Sequence, residues 1–171
     1  LFSQKLRGPF VLDAGCGWGM CHNIFSSQGG LIVTGVDISP RMIDAAQEWW
    51  PDAEESFKVM SCRELGFPSD SLDGIWCHNV MHEMTKEAGR TALQQFSRVL
   101  TEGGILHLSL PCFGEEVGEK MDFVHPKAAT KSPLSMWEHH ELLAEAAKAG
   151  FLEEVILPKS KSSIHLLLQK M

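Results

Sequence analysis

Short apolar blocks alternate with polar, glycine-marked breaks along most of this chain. Phe10-Val11-Leu12-Asp13-Ala14 runs apolar into Gly15-Cys16-Gly17-Trp18-Gly19, the pattern of a buried strand ending in a glycine turn. A helix is predicted from Met20 to Gln28, closed by Gly29-Gly30. Leu31 to Val36, β-branched and uncharged up to Asp37, reads as a second buried strand. Ser39 stands at an N-cap with Pro40 first in the helix, and Met42, Ala45, Ala46, Trp49 and Trp50 recur at helical spacing until Pro51. Ser56 to Met60 is a third, weaker strand. After the turn Asp70 to Gly74, Ile75-Trp76-Cys77 is a fourth. A helix with Ala92, Leu93, Phe96, Val99 and Leu100 on one face then runs to Thr101. Glu102-Gly103-Gly104 breaks it before a fifth strand, Ile105 to Leu110. Cys112 to Pro133 has no period and reads as a long connection, a kind that is usually functional. Ser135 to Glu138 forms a capping box for a helix ending at Gly150. Phe151 to Leu157 and Ser163 to Leu168 then flank the turn Pro158 to Lys161 as a closing hairpin.

Strands and helices in strict alternation predict an α/β fold: a doubly wound, mostly parallel seven-stranded sheet, helices on both faces, with a C-terminal antiparallel hairpin. Ligands of such sheets lie beyond the carboxyl ends of the strands, so the residues after Ala14, Val36, Met60, Cys77 and Leu110 are the ones to interrogate. At 171 residues and 44% hydrophobic, the chain has the length and apolar content of one domain, 1–171, with a full core. The net charge of −7 comes without a basic cluster, which disfavours nucleic acid as a partner. The longest apolar runs, such as Gly104 to Leu110, are too short to span a bilayer, so no membrane role is expected. Five cysteines (Cys16, Cys21, Cys62, Cys77 and Cys112) lack framework spacing and suggest a reducing, cytoplasmic setting. The start, Leu1 to Arg7, has no initiator Met and no signal-peptide core, and reads as a trimmed end. Nothing in the sequence assigns an oligomeric state.

The chemistry concentrates in the first loop. In Asp13-x-Gly15-x-Gly17-x-Gly19, side chains at Gly15 or Gly17 would occupy ligand space, so glycine lets backbone amides approach a ligand. Asp37 ends the second strand 18 residues past Gly19, where a carboxylate can accept both hydroxyls of a ribose. A glycine triplet alone is weak evidence; with strand, helix and acid in this order it describes a nucleoside site. A dinucleotide fingerprint spaces its third glycine three after the second. Here the spacing is two, and Asp13 would repel a pyrophosphate but suit an ammonium.

Val11 to Gly19 resembles motif I of the class I S-adenosyl-L-methionine-dependent methyltransferases, in particular their small-molecule "type 11" branch, whose sheet is Rossmann-like. Gly35 to Met42 resembles that family's ribose and adenine segment, Leu65 to Ile75 its loop into the fourth strand, and Arg98 to Gly104 its turn into the fifth. The similarity runs from about Phe10 to the closing hairpin. It implies that the cofactor is S-adenosyl-L-methionine and the partner a small-molecule methyl acceptor. Gly15, Cys16 and Gly17 would pass the methionine part by backbone, Asp13 would orient its ammonium, Asp37 would hold the ribose, and Ile38 and Met42 would pack the adenine. Ser61-Cys62 stand where the family usually has an Asp, so Ser61 or a backbone group takes over that contact. Cys77 closes the cofactor side. The helices that commonly precede motif I and lid the site are absent from this sequence.

On the acceptor side, Cys77-His78-Asn79 ends the fourth strand and His82-Glu83 follows a turn later. A histidine here is either a base for the acceptor or, as we prefer from sequence, a residue that lines the pocket or caps the next helix; no acid is clearly placed to orient it. No catalytic side chain is therefore assigned, and His78, Asn79, His82 and Trp137 are taken as acceptor-binding. The spacing His78-x-x-x-His82 suits zinc on a helix, but no third ligand accompanies it, so no metal is expected. Trp18, Trp49, Trp50 and Trp76 read as core rather than as an aromatic cage. His139-His140 reads as solvent-facing. The alternatives are a nucleoside-binding or regulatory domain of the same fold without turnover and, less favoured by the glycine spacing, a nicotinamide-dependent oxidoreductase.

Overall fold

In a computed structural model, which describes residues 2–27, 29–111, 137–156 and 163–171, the sheet has seven strands. They are β1 (Phe10–Ala14), β2 (Ile32–Asp37), β3 (Phe57–Val59), β4 (Leu72–His78), β5 (Leu100–Pro111), β6 (Phe151–Ile156) and β7 (Ser163–Lys170). Their order is β3-β2-β1-β4-β5-β7-β6, the first five parallel and β7 antiparallel to both β5 and β6. Chain order reverses between β1 and β4, which makes that gap the switch point of the sheet. The helices are α1 (Phe2–Lys5), α2 (Met20–Ser26), α3 (Pro40–Trp49), α4 (Lys86–Val99) and α5 (His139–Lys148). Among the described residues no helix is long and apolar enough to cross a membrane.

Side-chain alternation divides the core between the two sheet faces. Leu12, Ala14, Ile75, Cys77, Leu106 and Leu108 meet the apolar stripe of α4, with Ala92, Leu93, Phe96 and Val99, and Leu142 and Ala146 of α5. Val11, Val33, Trp76, Ile105 and Leu167 meet Phe2 of α1 and Phe25 of α2 on the other face, where Ile43 and Ala46 of α3 close over Phe57.

Several predicted boundaries move. The strand β5 begins at Leu100, directly after α4, because Leu100 already pairs with Leu72. The expected Glu102-Gly103-Gly104 break survives as an irregularity inside that strand, with Gly103 at φ 75 and pairing resumed at Ile105. Ser39 occupies the N-cap of α3 but makes no side-chain cap bond; its backbone N–H donates to Asp37 Oδ1 at 2.9 Å. Thr85, not marked from sequence, does cap α4 by accepting from Ala88 N. The helix α5 starts at His139 after Glu138, which forms no capping bond; Ser135 of the expected box lies outside the described residues, as do Cys112 to Pro133 and the Pro158 to Lys161 turn.

Candidate cofactor and acceptor site

The loop after β1 is tied to β2 by three hydrogen bonds. Gly15 N and Cys16 N both donate to Val36 O, at 2.8 and 2.9 Å. Gly17 N donates to Asp37 Oδ2 at 3.0 Å. With Ser39 N on its other oxygen, the Asp37 carboxylate joins the glycine loop to the start of α3. Each carboxylate oxygen has two acceptor sites, so both keep room for a further donor such as a ribose hydroxyl.

The three glycines are needed for different reasons. All have positive φ. At Gly15 a Cβ would fall 2.3 Å from Val80 Cγ2, and at Gly19 2.8 Å from the Trp50 ring, so these two are packed against protein rather than reserved for a ligand. Gly17 has nothing within 4 Å of its missing Cβ. It alone of the three opens onto free space.

Asp13 lies at the floor of this loop, paired in register with Gly35 and Trp76 and 2% exposed. Its Oδ2 has no hydrogen-bond partner among the described residues. Burial, with the Asp37 charge second, pushes its pKa up to about 7. A buried carboxyl with a free oxygen is poised for a cationic partner, because a cation restores the ionised form that burial disfavours. After β2, Ile38 and Met42 are exposed apolar side chains in the segment that follows Asp37. Ser61 accepts from Arg63 N at 3.2 Å.

The cysteines offer backbone rather than thiol chemistry. Cys16, Cys62 and Cys77 are buried, and burial raises all three thiols, Cys62 to about 12, so none is a thiolate at neutral pH.

On the acceptor side, His78 and Asn79 close β4, and Asn79 sits at φ 55 with its N–H on Ser109 O at 2.9 Å. His82 follows in a 3-10 turn, Met81–Glu83. There an acid does orient a histidine: Glu83 Oε1 lies 3.2 Å from His82 Nε2, a contact between sequence neighbours that the turn makes possible. Trp137 is placed elsewhere. It is 8% exposed, its ring filling the space left by Gly89 against Met81 on the α4 face, which leaves it a core residue rather than an acceptor contact. Trp18 and Trp49, read as core, are exposed and pair with each other at 5.5 Å. Of the pair expected to face solvent, His140 is exposed, whereas His139 is half-buried with its Nε2 covered.

Sequence reasoning missed Val80, which fills the space under Gly15, and the pair His107 and His165, which stand beside His78. The signal for His107 was present: His107 and Ser109 interrupt an apolar strand at alternate positions, which puts both on one face.

Open Gly17 and the unpartnered Asp13 oxygen, with Ile38 and Met42 exposed after β2, fit a nucleoside carrying an ammonium group. The family described as "Methyltransferase domain" matches residues 11–104. A 2-methyl-6-phytyl-1,4-hydroquinone methyltransferase of Synechocystis is 31% identical over 149 residues, which cover 86% of this chain and 45% of that protein. The chain thus spans less than half the length of that relative. Among solved structures, the cyclase SpnF superposes with a TM-score of 0.81 at 18% identity, covering 99% of this chain and 78% of its own. A magnesium protoporphyrin IX methyltransferase of Synechocystis with bound SAH gives 0.77 at 20%, covering 99% and 77%. The structural likenesses show the Rossmann-like fold, and with more than half its residues inside the family match, this chain belongs to the methyltransferase-domain family.

Proposed function

We propose that residues 1–171 form one domain that binds S-adenosyl-L-methionine and transfers its methyl group to a small-molecule acceptor. The observation that carries this reading is the buried Asp13 carboxyl with one oxygen unpartnered beneath an open Gly17. The cofactor, when bound, supplies an electrophilic methyl group on a sulfonium. The chain's own part is to hold and align. Asp13 takes the ammonium. The amides of the Gly15-Cys16-Gly17 loop pass the methionine part, and the free lone pairs of Asp37 accept from the ribose. Ile38 and Met42 cover the base, with Ser61 and the backbone of Cys62 at its edge. Cys77 borders the methionine part by its backbone, and His78, Asn79 and His82 face the acceptor. Alignment of acceptor and methyl, with water excluded, accounts for most of the rate such a site needs.

The relatives' names support a small organic acceptor, and the net charge of −7 argues against a nucleic-acid partner. The free thiols of Cys16, Cys21, Cys62 and Cys77 support a reducing, cytoplasmic setting. A second reading, nucleoside binding without methyl transfer, draws on the close superposition with a cyclase.

Calorimetric titration with S-adenosyl-L-methionine, S-adenosylhomocysteine and NAD tests the assignment. Binding of the first two and not of NAD is the expected result. Binding of NAD alone would overturn it.

A further inference from the structure

A cleft of about 230 Å³ opens between α2 and the end of α3, and none of its lining residues is among those assigned to cofactor or acceptor. Pro51 ends α3 and starts a 3-10 turn, Pro51–Ser56. That turn is fixed in place. Gln47 Nε2 donates to Glu54 O and to Phe57 O, both at 3.3 Å, and Ala53 N donates to Trp50 O at 2.9 Å. Trp50 and Ala53 pack against the cluster of Ile43, Ala46 and Phe57, so the wall they form is continuous with a piece of core. The cleft is therefore built before any ligand arrives.

Its walls carry one kind of chemistry. The helix α2 supplies His22 and Ser26, and the end of α3 with the turn supplies Trp49, Trp50 and Asp52. His22 is 6% exposed, its ring lies 4.8 Å from that of Phe57, and its Nδ1 has no hydrogen-bond partner among the described residues. Burial lowers its pKa, so the ring is uncharged at neutral pH. With hydrogen on Nε2, Nδ1 carries a lone pair. The Ser26 hydroxyl and the Asp52 carboxylate, both exposed, accept as well. Trp49, exposed, and Trp50, half-buried, add π faces, whose negative centres attract a cation. No Lys or Arg lines the cleft.

We infer that this cleft is a second ligand site, beside the cofactor loop but separate from it, and that it takes a small organic ammonium: a protonated primary or secondary amine. Three acceptors meet its N–H groups and the indole faces meet its charge. An anion would face Asp52 with no cation in the lining to offset it. The volume sets the size of the ligand. Sites for drug-sized ligands start at roughly 300 Å³ and a water takes about 30 Å³, so the cleft suits an amine with a single ring or a short chain and is far larger than one water at His22 Nδ1 needs. The cleft adjoins the cofactor loop without sharing its ligand positions. A Cβ at Gly19 would lie 2.9 Å from Trp50 Nε1, and Trp49 pairs with Trp18, yet Asp13 and Gly17 are not part of the lining. Both ligands are therefore held at once.

The test uses benzylamine, which is protonated at neutral pH, and benzyl alcohol, which has the same ring and no charge. Binding is followed by NMR of the indole N–H groups in tryptophan-labelled protein, with the Trp49 signal assigned by its loss in Trp49→Leu. Benzylamine is expected to shift the Trp49 and Trp50 signals saturably, with a Kd of about 1 mM or lower, and benzyl alcohol to bind about tenfold more weakly. Asp52→Asn, at an exposed position, should weaken benzylamine about two- to fivefold and leave benzyl alcohol unchanged. His22→Phe, which keeps a ring beside Phe57 but no acceptor, should weaken benzylamine by a similar factor; if that variant does not fold, Asp52→Asn decides. Saturating S-adenosylhomocysteine should leave benzylamine bound. No saturable shift, equal affinity for the alcohol, or no response to Asp52→Asn overturns the proposal. Displacement of benzylamine by S-adenosylhomocysteine overturns it too, by making the cleft part of the cofactor site.

Discussion

Asp37 Oδ2 accepts the backbone N–H of Gly17 at 3.0 Å, so the acid expected to hold a ribose also sets the shape of the glycine loop. Its other oxygen takes Ser39 N. Asp37→Ala should therefore do more than remove a ligand contact. We expect S-adenosylhomocysteine affinity to fall by about 1.5–3 kcal/mol, the worth of hydrogen bonds to a charged group. The ligand-free protein should also lose about 1–3 kcal/mol as two amides are orphaned. Calorimetry and denaturant unfolding check the two losses, and a variant of unchanged stability would mean that the loop does not depend on this carboxylate.

Asp13 makes binding and stability depend on pH in opposite senses. Its folded-state pKa of about 7 lies above the ordinary carboxylate value of 3.8, so the folded state holds a proton that the unfolded state has lost between those values. The stability of the ligand-free protein should fall as pH rises from about 4 to 7, with the full penalty present above 7. Asp13→Asn removes the penalty, by on the order of 1–3 kcal/mol, and its gain in Tm should grow from pH 5 to pH 8. Cofactor binding needs the ionised form to meet an ammonium, so wild-type affinity should weaken as pH drops below 7, with proton release on binding. Calorimetry in buffers of different ionisation enthalpy reads that release directly. No proton release at pH 6 would place the ammonium elsewhere.

The glycine loop, the acid after β2 and the strand–helix alternation were legible because each is a local signal: turn glycines, a run of β-branched residues, a carboxylate at a strand end. What stayed hidden depends on which residues meet across the sheet. Gly15 looks like a ligand contact in the sequence, yet Val80, more than 60 residues away in the chain, occupies the space beside it. His107 is a single histidine in an apolar run until β4 and β7 bring His78 and His165 to either side. Trp137 resembled a substrate contact because the segment before it has no period, whereas its ring is fixed by the missing side chain of Gly89.

That last relationship separates folding from binding. A Cβ at Gly89 would sit 2.7 Å from Trp137 Cζ2 and 3.1 Å from Met81 Cε, inside a packed core. Gly89→Ala should cost about 1–3 kcal/mol of stability, as overpacking does, with S-adenosylhomocysteine affinity unchanged at a temperature where the variant is folded. Gly17→Val should show the reverse emphasis: open space around the new side chain in the free protein, a ligand position blocked, and only the cost of its positive φ on stability. Measured side by side, equal effects of the two variants on binding would show that Gly17 does not face the cofactor.

Arg98 tests how the loop into β4 is held. Its guanidinium donates to Phe67 O at 2.8 Å and Leu65 O at 2.7 Å, and to Gln95 Oε1, which in turn accepts from Leu65 N. One planar group thereby satisfies two carbonyls of a segment that has no regular structure of its own, and a lysine cannot reach both at once. Arg98→Lys should lower stability by about 1.5–3 kcal/mol, because part-buried carbonyls lose a charged donor. The loss should be local first: the amide of Leu65, bonded to Gln95, should exchange with solvent faster, while amides in β1 and β4 keep their protection. Hydrogen exchange resolved by residue reads this, and a variant in which β4 opens together with the loop would mean that Arg98 supports the sheet as a whole rather than this segment.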